Sequence, residues 1–255
     1  MSGPVALHGG GEFQPGDEPF LQHLLGLARE GSGRAADRPL TVAIVPTAAA
    51  RGRPDLVGTY GTAAFERVAG RGSAGAGPVT IDVVPVLDAA SASEAWLAAR
   101  LEAADVIHLP GGDPDLIPSI LAGTAVWDAI VAAHRRGAVL AGASAGAMAL
   151  AGWTWTPGGG VTGLGLVAGL VVVPHADEHR WPEAIRRLGR GAPAGLGLLG
   201  VAERTGAISP AGPGPASGGT VTWEIVGEGS ARWLPDPTDL DRTVVVQAGG
   251  TLQLP

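Results

Sequence analysis

The sequence predicts an α/β fold, a doubly wound and mostly parallel sheet with helices on both faces, and three observations carry that expectation. Apolar, β-branched runs of strand length alternate with helical patterns through the first 150 residues. Those runs are apolar at nearly every position, as suits strands covered on both faces. The composition permits such a core, because 255 residues that are 45% hydrophobic and 16% charged can bury a large interior and are not held open by their own charge.

The elements follow in order. The run PVALH at 4–8 leads into DEPFLQHLLGLARE, where Phe20, Leu21, Leu24, Leu25 and Ala28 recur at helical spacing behind Asp17 as N-cap, with Pro19 in the first turn. LTVAIVP precedes the helical PDLVGTYGTAAFERVAG, VTIDVVPV precedes SASEAWLAARLEA, and DVIHLP precedes one long pattern, DLIPSILAGTAVWDAIVAAHRR. AVLAGA makes a fifth strand. After residue 150 the rhythm changes: WTWTPGGGVTGLG reads as a glycine-rich loop, LVVVP as a strand, 181–190 as a helix, and GLGLLGVAE as a strand that ends in Glu203. Beyond Thr205, VTWEIV, ARWLP, RTVVVQ and TLQLP are short β runs, with SPAGPGPASGG an exposed connection before them. Residues 1–255 read as a single domain, of which 205–255 is a β-rich extension.

Composition also removes whole classes of chemistry. The chain has no Cys, so thiolate nucleophiles, cysteine-bound zinc and disulfides are excluded. All 17 basic residues are Arg, which excludes Schiff-base and P-loop lysines. A net charge of −7 disfavours a nucleic-acid partner. There is no uninterrupted apolar run of about 18 residues and no basic leader at the start, so the expectation is a cytoplasmic protein without a membrane partner. No cofactor or metal is expected. Oligomeric state stays open between monomer and homodimer.

One hydroxyl stands out. In VLAGASAGAMAL, residues 139–150, Gly-Ala-Ser-Ala-Gly surrounds Ser144 between a strand and a helix former, the pattern of a nucleophile elbow. Small residues suit a sharp turn where backbones pass closely, and they equally suit plain packing. A serine needs a base and its oxyanion needs donors. LPGGDP at 109–114 puts Gly111 and Gly112 at the end of the preceding strand, with the N–H of Ala145 as a second donor. Among six histidines, His23 and His134 read as surface residues, and His8 and His108 as structural residues near strand ends. His175 emerges after LVVVP, at the end of a strand, where parallel sheets present catalytic groups. Residues 145–174 contain no Asp or Glu, so the acid must lie elsewhere: Glu203 on the next strand is the first candidate and Asp177 the second.

These pieces resemble the peptidase E and cyanophycinase group of serine peptidases, on the class I glutamine amidotransferase-like (flavodoxin-like) fold. The matching stretches are HGGGEF, PGGDPDLI, AGASAGAMAL, PHADEHRWPEAIRRL and GLGLLGVAERTGAI, in the family's order. The resemblance implies Ser144 as nucleophile, His175 as base, Glu203 as acid, and Gly112 with Ala145 as oxyanion donors. It implies a small peptide substrate with an aspartyl residue at the scissile bond, or a branched Asp-Arg polymer. Gly111, Asp113, Arg180 and Arg186 are the expected substrate-binding residues, since an Arg fork suits a carboxylate. The chain departs from peptidase E in having no acid between serine and histidine, and from cyanophycinases in having Ala176 after His175 and more widely spread arginines.

Three rival readings remain. HADEH at 175–179 matches the H-x-x-E-H zinc pattern, which requires a helix that Pro174 disfavours. HGGG could serve an α/β-hydrolase, but that fold runs serine, acid, histidine, and no histidine follows His179. The third is a catalytically inactive binding module on the same fold.

Overall fold

The computed structural model describes residues 2–32, 38–70, 77–188, 192–212 and 220–254. Five parallel strands form one side of an eight-stranded sheet, running inward from the edge in the order β3 (Val79–Val83), β2 (Leu40–Ile44), β4 (Val106–Leu109), β5 (Val139–Ala143) and β1 (Val5–His8). Past β1 the sheet continues antiparallel through β10 (Thr205–Ser209), β11 (Val221–Gly227) and β14 (Thr251–Leu254).

Strand alternation divides the core between the two faces. On one, Ala6, Val42, Ile44 and Val139 meet Phe20, Leu24 and Leu25 of α1 (Glu18–Ser32) and Phe65 and Val68 of α2 (Pro54–Gly70). On the other, Val5, Leu7, Ile107 and Leu140 meet α3 (Ala95–Glu102), α4 (Leu116–Leu121), α5 (Ala125–Arg135) and α6 (Ala145–Leu150). Phe20, Leu21, Leu24 and Leu25 are fully buried, each contributing about 1.5–3 kcal/mol over an exposed position. Asp17 precedes α1 as expected, its carbonyl accepting the Leu21 N–H at 3.2 Å, but its carboxylate turns inward to His8.

A second, four-stranded sheet has the order β13 (Val244–Gln247), β12 (Ser230–Leu234), β9 (Gly197–Val201), β8 (Leu170–Val173). It is covered by α7 (Arg180–Leu188), whose Trp181, Ile185 and Leu188 pack on Val171, Val173, Leu198 and Leu234. Of the strands from Thr205 onward, β10, β11 and β14 finish the main sheet, and β12 and β13 finish the smaller one.

Other expectations change in detail. The long pattern at 115–136 is two helices, because Gly123 takes φ +71° after α4 and Thr124 restarts the chain by accepting the Trp127 N–H at 3.3 Å. Both helices are apolar toward the sheet, so periodicity alone does not show the break. WTWTPGGGVTGLG is largely a hairpin of β6 (Trp153–Thr156) and β7 (Gly159–Thr162). Gly160 provides space there: a Cβ on it would lie 1.8 Å from the Trp153 ring. His134 is buried rather than at the surface, its Nδ1 3.2 Å from the Ala138 carbonyl oxygen. Residues 189–190 of the expected helix and 213–219 of the expected connection lie outside the described residues. Among the described residues, no helix is long and apolar enough to cross a membrane.

Candidate active site

Strand β5 lies between β1 and β4, with Ala143 level with His8 and Gly142 level with Leu109. The three strands thus open their carboxyl ends side by side, where parallel sheets hold their sites. Ser144 is the residue after β5 and takes φ +49°, ψ −113°, a conformation costing about 1–3 kcal/mol for a non-glycine residue. Its N–H donates to the His8 carbonyl at 2.9 Å, and its own carbonyl accepts the Met148 N–H at 3.0 Å. The small neighbours are compulsory: a Cβ on Gly142 would sit 2.5 Å from the Gly146 carbonyl carbon, and one on Gly146 1.9 Å from the Leu109 carbonyl oxygen. Packing and the elbow therefore demand the same residues.

The smaller sheet brings the other two groups. Strands β8 and β9 are parallel neighbours with Val173 level with Gly200, so the chains leaving them carry His175 and Glu203 to adjacent positions. Ser144 Oγ lies 3.0 Å from His175 Nε2, and His175 Nδ1 lies 2.8 Å from Glu203 Oε1. A carboxylate only accepts, so Nδ1 carries the proton and Nε2 is left to accept from the serine hydroxyl. The imidazole abuts Gly10, where a Cβ would be 2.2 Å from its Cε1. Asp177, the second candidate acid, is used otherwise: its Oδ1 accepts the N–H groups of Arg180 (2.7 Å) and His179 (2.9 Å) at the start of α7. Those bonds, Arg180's first, hold its pKa below the usual carboxylate value. Since His175 precedes α7 and both its nitrogens face Ser144 and Glu203, HADEH does not form the helical zinc pattern. Among the described residues, no group of three or more His, Asp or Glu side chains is arranged to hold a metal ion.

A cleft of about 440 Å³ opens at Ser144, a volume suited to a small ligand. Gly112 and Ala145 line it, and neither N–H donates to an acceptor among the described residues. The Gly111 N–H, in contrast, is occupied by Glu12 Oε1 at 2.7 Å. Asp113 turns from the cleft to Arg51, 2.9 Å away. Arg180 lines the cleft; Arg186 does not, and Arg187 does. The helix explains the exchange: Arg180, Glu183, Ala184 and Arg187 form one stripe at i, i+3, i+4 and i+7, and Arg186 is about 100° off it. The Arg187 guanidinium lies 5.5 Å from the ring centroid of Trp155, which forms part of the cleft wall, while its neighbour Trp153 belongs to the core beneath.

A family model described as peptidase family S51 matches residues 6–205. The chain belongs to peptidase family S51. As an S51 member it is a serine-type peptidase, and the stretches that carry the resemblance all fall within or at the edge of the match. Two solved structures share its fold. A peptidase from an acI-B1 Actinobacterium is 23% identical with a TM-score of 0.80, over 100% of this chain and 98% of that one. A candidate peptidase E protein from Listeria monocytogenes EGD-e is 13% identical with a TM-score of 0.55, over 97% of this chain and 99% of that one. No curated protein sequence matches the chain.

In this S51 chain, reading the sequence missed two residues at the site. Arg187 was legible from helical spacing, had the stripe through Arg180 been extended by seven residues. Glu12 carried no comparable signal, since its partner Gly111 is 99 residues away.

Proposed function

We propose that this S51 peptidase cleaves a peptide bond at an aspartyl residue through an acyl-enzyme, with Ser144, His175 and Glu203 as its triad. The observation that carries the reading is the unbroken line from Ser144 Oγ to His175 Nε2, 3.0 Å, and from His175 Nδ1 to Glu203 Oε1, 2.8 Å. Ser144 Oγ attacks the carbonyl carbon and its proton passes to His175 Nε2. Glu203 stabilises the imidazolium, and the N–H groups of Gly112 and Ala145 receive the oxyanion. His175 returns the proton to the departing amine. Water then attacks the ester, again with His175 as base, and the acid product leaves.

The substrate class rests on the cleft. Arg180 and Arg187 are its cations, and Met148, Val172, Val173 and Trp155 supply apolar walls that strengthen a charge-assisted bond to a carboxylate. Both arginines face acidic neighbours in the free protein: Arg187 Nη2 is 2.5 Å from Glu183, and Arg180 is 3.8 Å from both Asp177 and Glu203. These contacts are exposed, so a substrate carboxylate exchanges for them at little cost.

The test is a panel of aspartyl, isoaspartyl and neutral dipeptides and branched Asp-Arg polymer, assayed with the wild type and Ser144→Ala. Preference for one acidic substrate, lost in the variant, is the expected result. Equal turnover of neutral and aspartyl dipeptides would remove the substrate assignment, and undiminished turnover by Ser144→Ala would remove the triad.

A further inference from the structure

Residues 8–12 contribute no reacting group in this mechanism, yet they touch every part of it. Ser144 donates its N–H to the His8 carbonyl (2.9 Å), His175 to that of Gly9 (2.8 Å), and Arg204, next to Glu203, to that of Gly10 (2.8 Å). The fourth contact is made by a side chain: Gly111, next to Gly112, donates to Glu12 Oε1 at 2.7 Å. The segment is fastened at its root. His8 Nε2 meets Asp17 Oδ1 at 2.9 Å with both side chains fully buried, and Asp17 Oδ2 accepts the N–H of Phe13, the residue after Glu12, at 2.8 Å.

We propose that Glu12 is a positioning residue that sets the oxyanion turn. Gly111 and Gly112 are consecutive residues without side chains, so nothing of their own fixes which N–H faces Ser144. By binding the Gly111 N–H, the Glu12 carboxylate removes that donor from the cleft and leaves the Gly112 N–H free beside Ser144. The site has room for no side chain at Gly111: a Cβ there would lie 2.8 Å from Glu12 Oε1 and 2.9 Å from Ser144 Cβ. Gly112 must also be glycine, since its φ is +150° and a Cβ on it would lie 2.3 Å from the Ala48 carbonyl oxygen. Glu12 forms no ion pair among the described residues. Its negative charge stands near the place where the oxyanion develops and opposes it, so the useful property is the hydrogen-bond acceptor, which an amide also has.

The inference rests on the Ser144 reading, and the experiment separates the two. Steady-state kinetics on the best dipeptide substrate are measured for Glu12→Ala, Glu12→Gln and Ser144→Ala, together with affinity for a boronate that mimics the tetrahedral intermediate. Glu12→Ala is expected to lower kcat by about 30-fold with KM within about twofold, less than the 10²–10³ of a deleted donor because the Gly112 N–H is displaced but still present. Boronate affinity falls with kcat/KM, and Glu12→Gln returns kcat to within about threefold of wild type, because it restores the acceptor. Wild-type kcat in Glu12→Ala, a loss confined to KM, or equal losses in the Ala and Gln variants would overturn the role of Glu12 while leaving the triad standing. Full activity in Ser144→Ala would overturn both.

Discussion

Ser144 and its two free N–H donors stand on the main sheet, whereas His175, Glu203, Arg180 and Arg187 stand on the smaller sheet and its helix, and the two halves are held in different ways. Around Ser144 the chain is buried Gly and Ala, with Ala145, Ala147 and Ala149 at most 1% exposed and glycine approaches that admit no further atom. On the other half the functional side chains are open to solvent: Glu203 is 48%, Arg187 57% and Arg180 60% exposed. Close packing sets Ser144, and hydrogen bonds accepted by one short segment set His175 and the residue after Glu203 against it. Added volume should therefore destroy the first half, while substitutions in the second should change chemistry and leave the fold intact.

The sharpest way to break this contrast is Gly146→Val. Its Cβ would enter the space of the Leu109 carbonyl, 1.9 Å away, and the variant is expected to lose more than about 4 kcal/mol of stability and all activity, read by thermal melting and turnover. Glu203→Gln should give the opposite pattern, a melting temperature within a few degrees of wild type with kcat reduced about 10³-fold, because the amide cannot stabilise the imidazolium. Arg187→Gln sharpens the contrast within one helix. It is expected to raise KM for aspartyl dipeptides about tenfold and leave neutral dipeptides unaffected, while Arg186→Gln, off the cleft stripe, changes neither.

The smallest effect at neutral pH comes from His108, beneath the main-sheet half. Its ring is fully buried, lies 5.0 Å from the centroid of Phe13 and, among the described residues, has no hydrogen-bond partner for either nitrogen. Burial first, and the nearby His8 second, push its pKa down to about 3. The unfolded chain takes up this proton near pH 6.5 and the folded chain does not. Stability is thus fully present above about pH 6.5 and is lost by about 1.4 kcal/mol per unit as the pH falls toward 3. His134, buried and shifted in the same direction, adds to that slope. His108→Leu should be near wild type at pH 7.5 and gain on it by about 2–3 kcal/mol at pH 4.5, measured by urea unfolding at both values. Parallel curves for the two proteins would remove His108 from the acid limb.

How much of this was legible in the sequence differs between the halves in the same sense. The parallel part of the main sheet could be read strand by strand, because its strands are mostly apolar runs, and Ser144 sits between one of them and a helix former. His175 is a candidate from its place after a strand and Glu203 only by elimination, and the parallel pairing of β8 with β9 is what brings them together. The hairpin at Trp153–Thr162 hid behind its glycines, of which Gly160 leaves room for the Trp153 ring, and single-sequence patterns do not distinguish room from flexibility. The weaving of residues 205–254 into both sheets, and the reach of Glu12 to Gly111, depend on pairings between distant segments and have no local signature.

The most direct test of the central claim is labelling with a fluorophosphonate, followed by peptide mass spectrometry. The account requires a single adduct on Ser144, formed much more slowly in His175→Ala and absent in Ser144→Ala. An unlabelled Ser144 in a folded, active enzyme, or an adduct at another serine that abolishes activity, would contradict it.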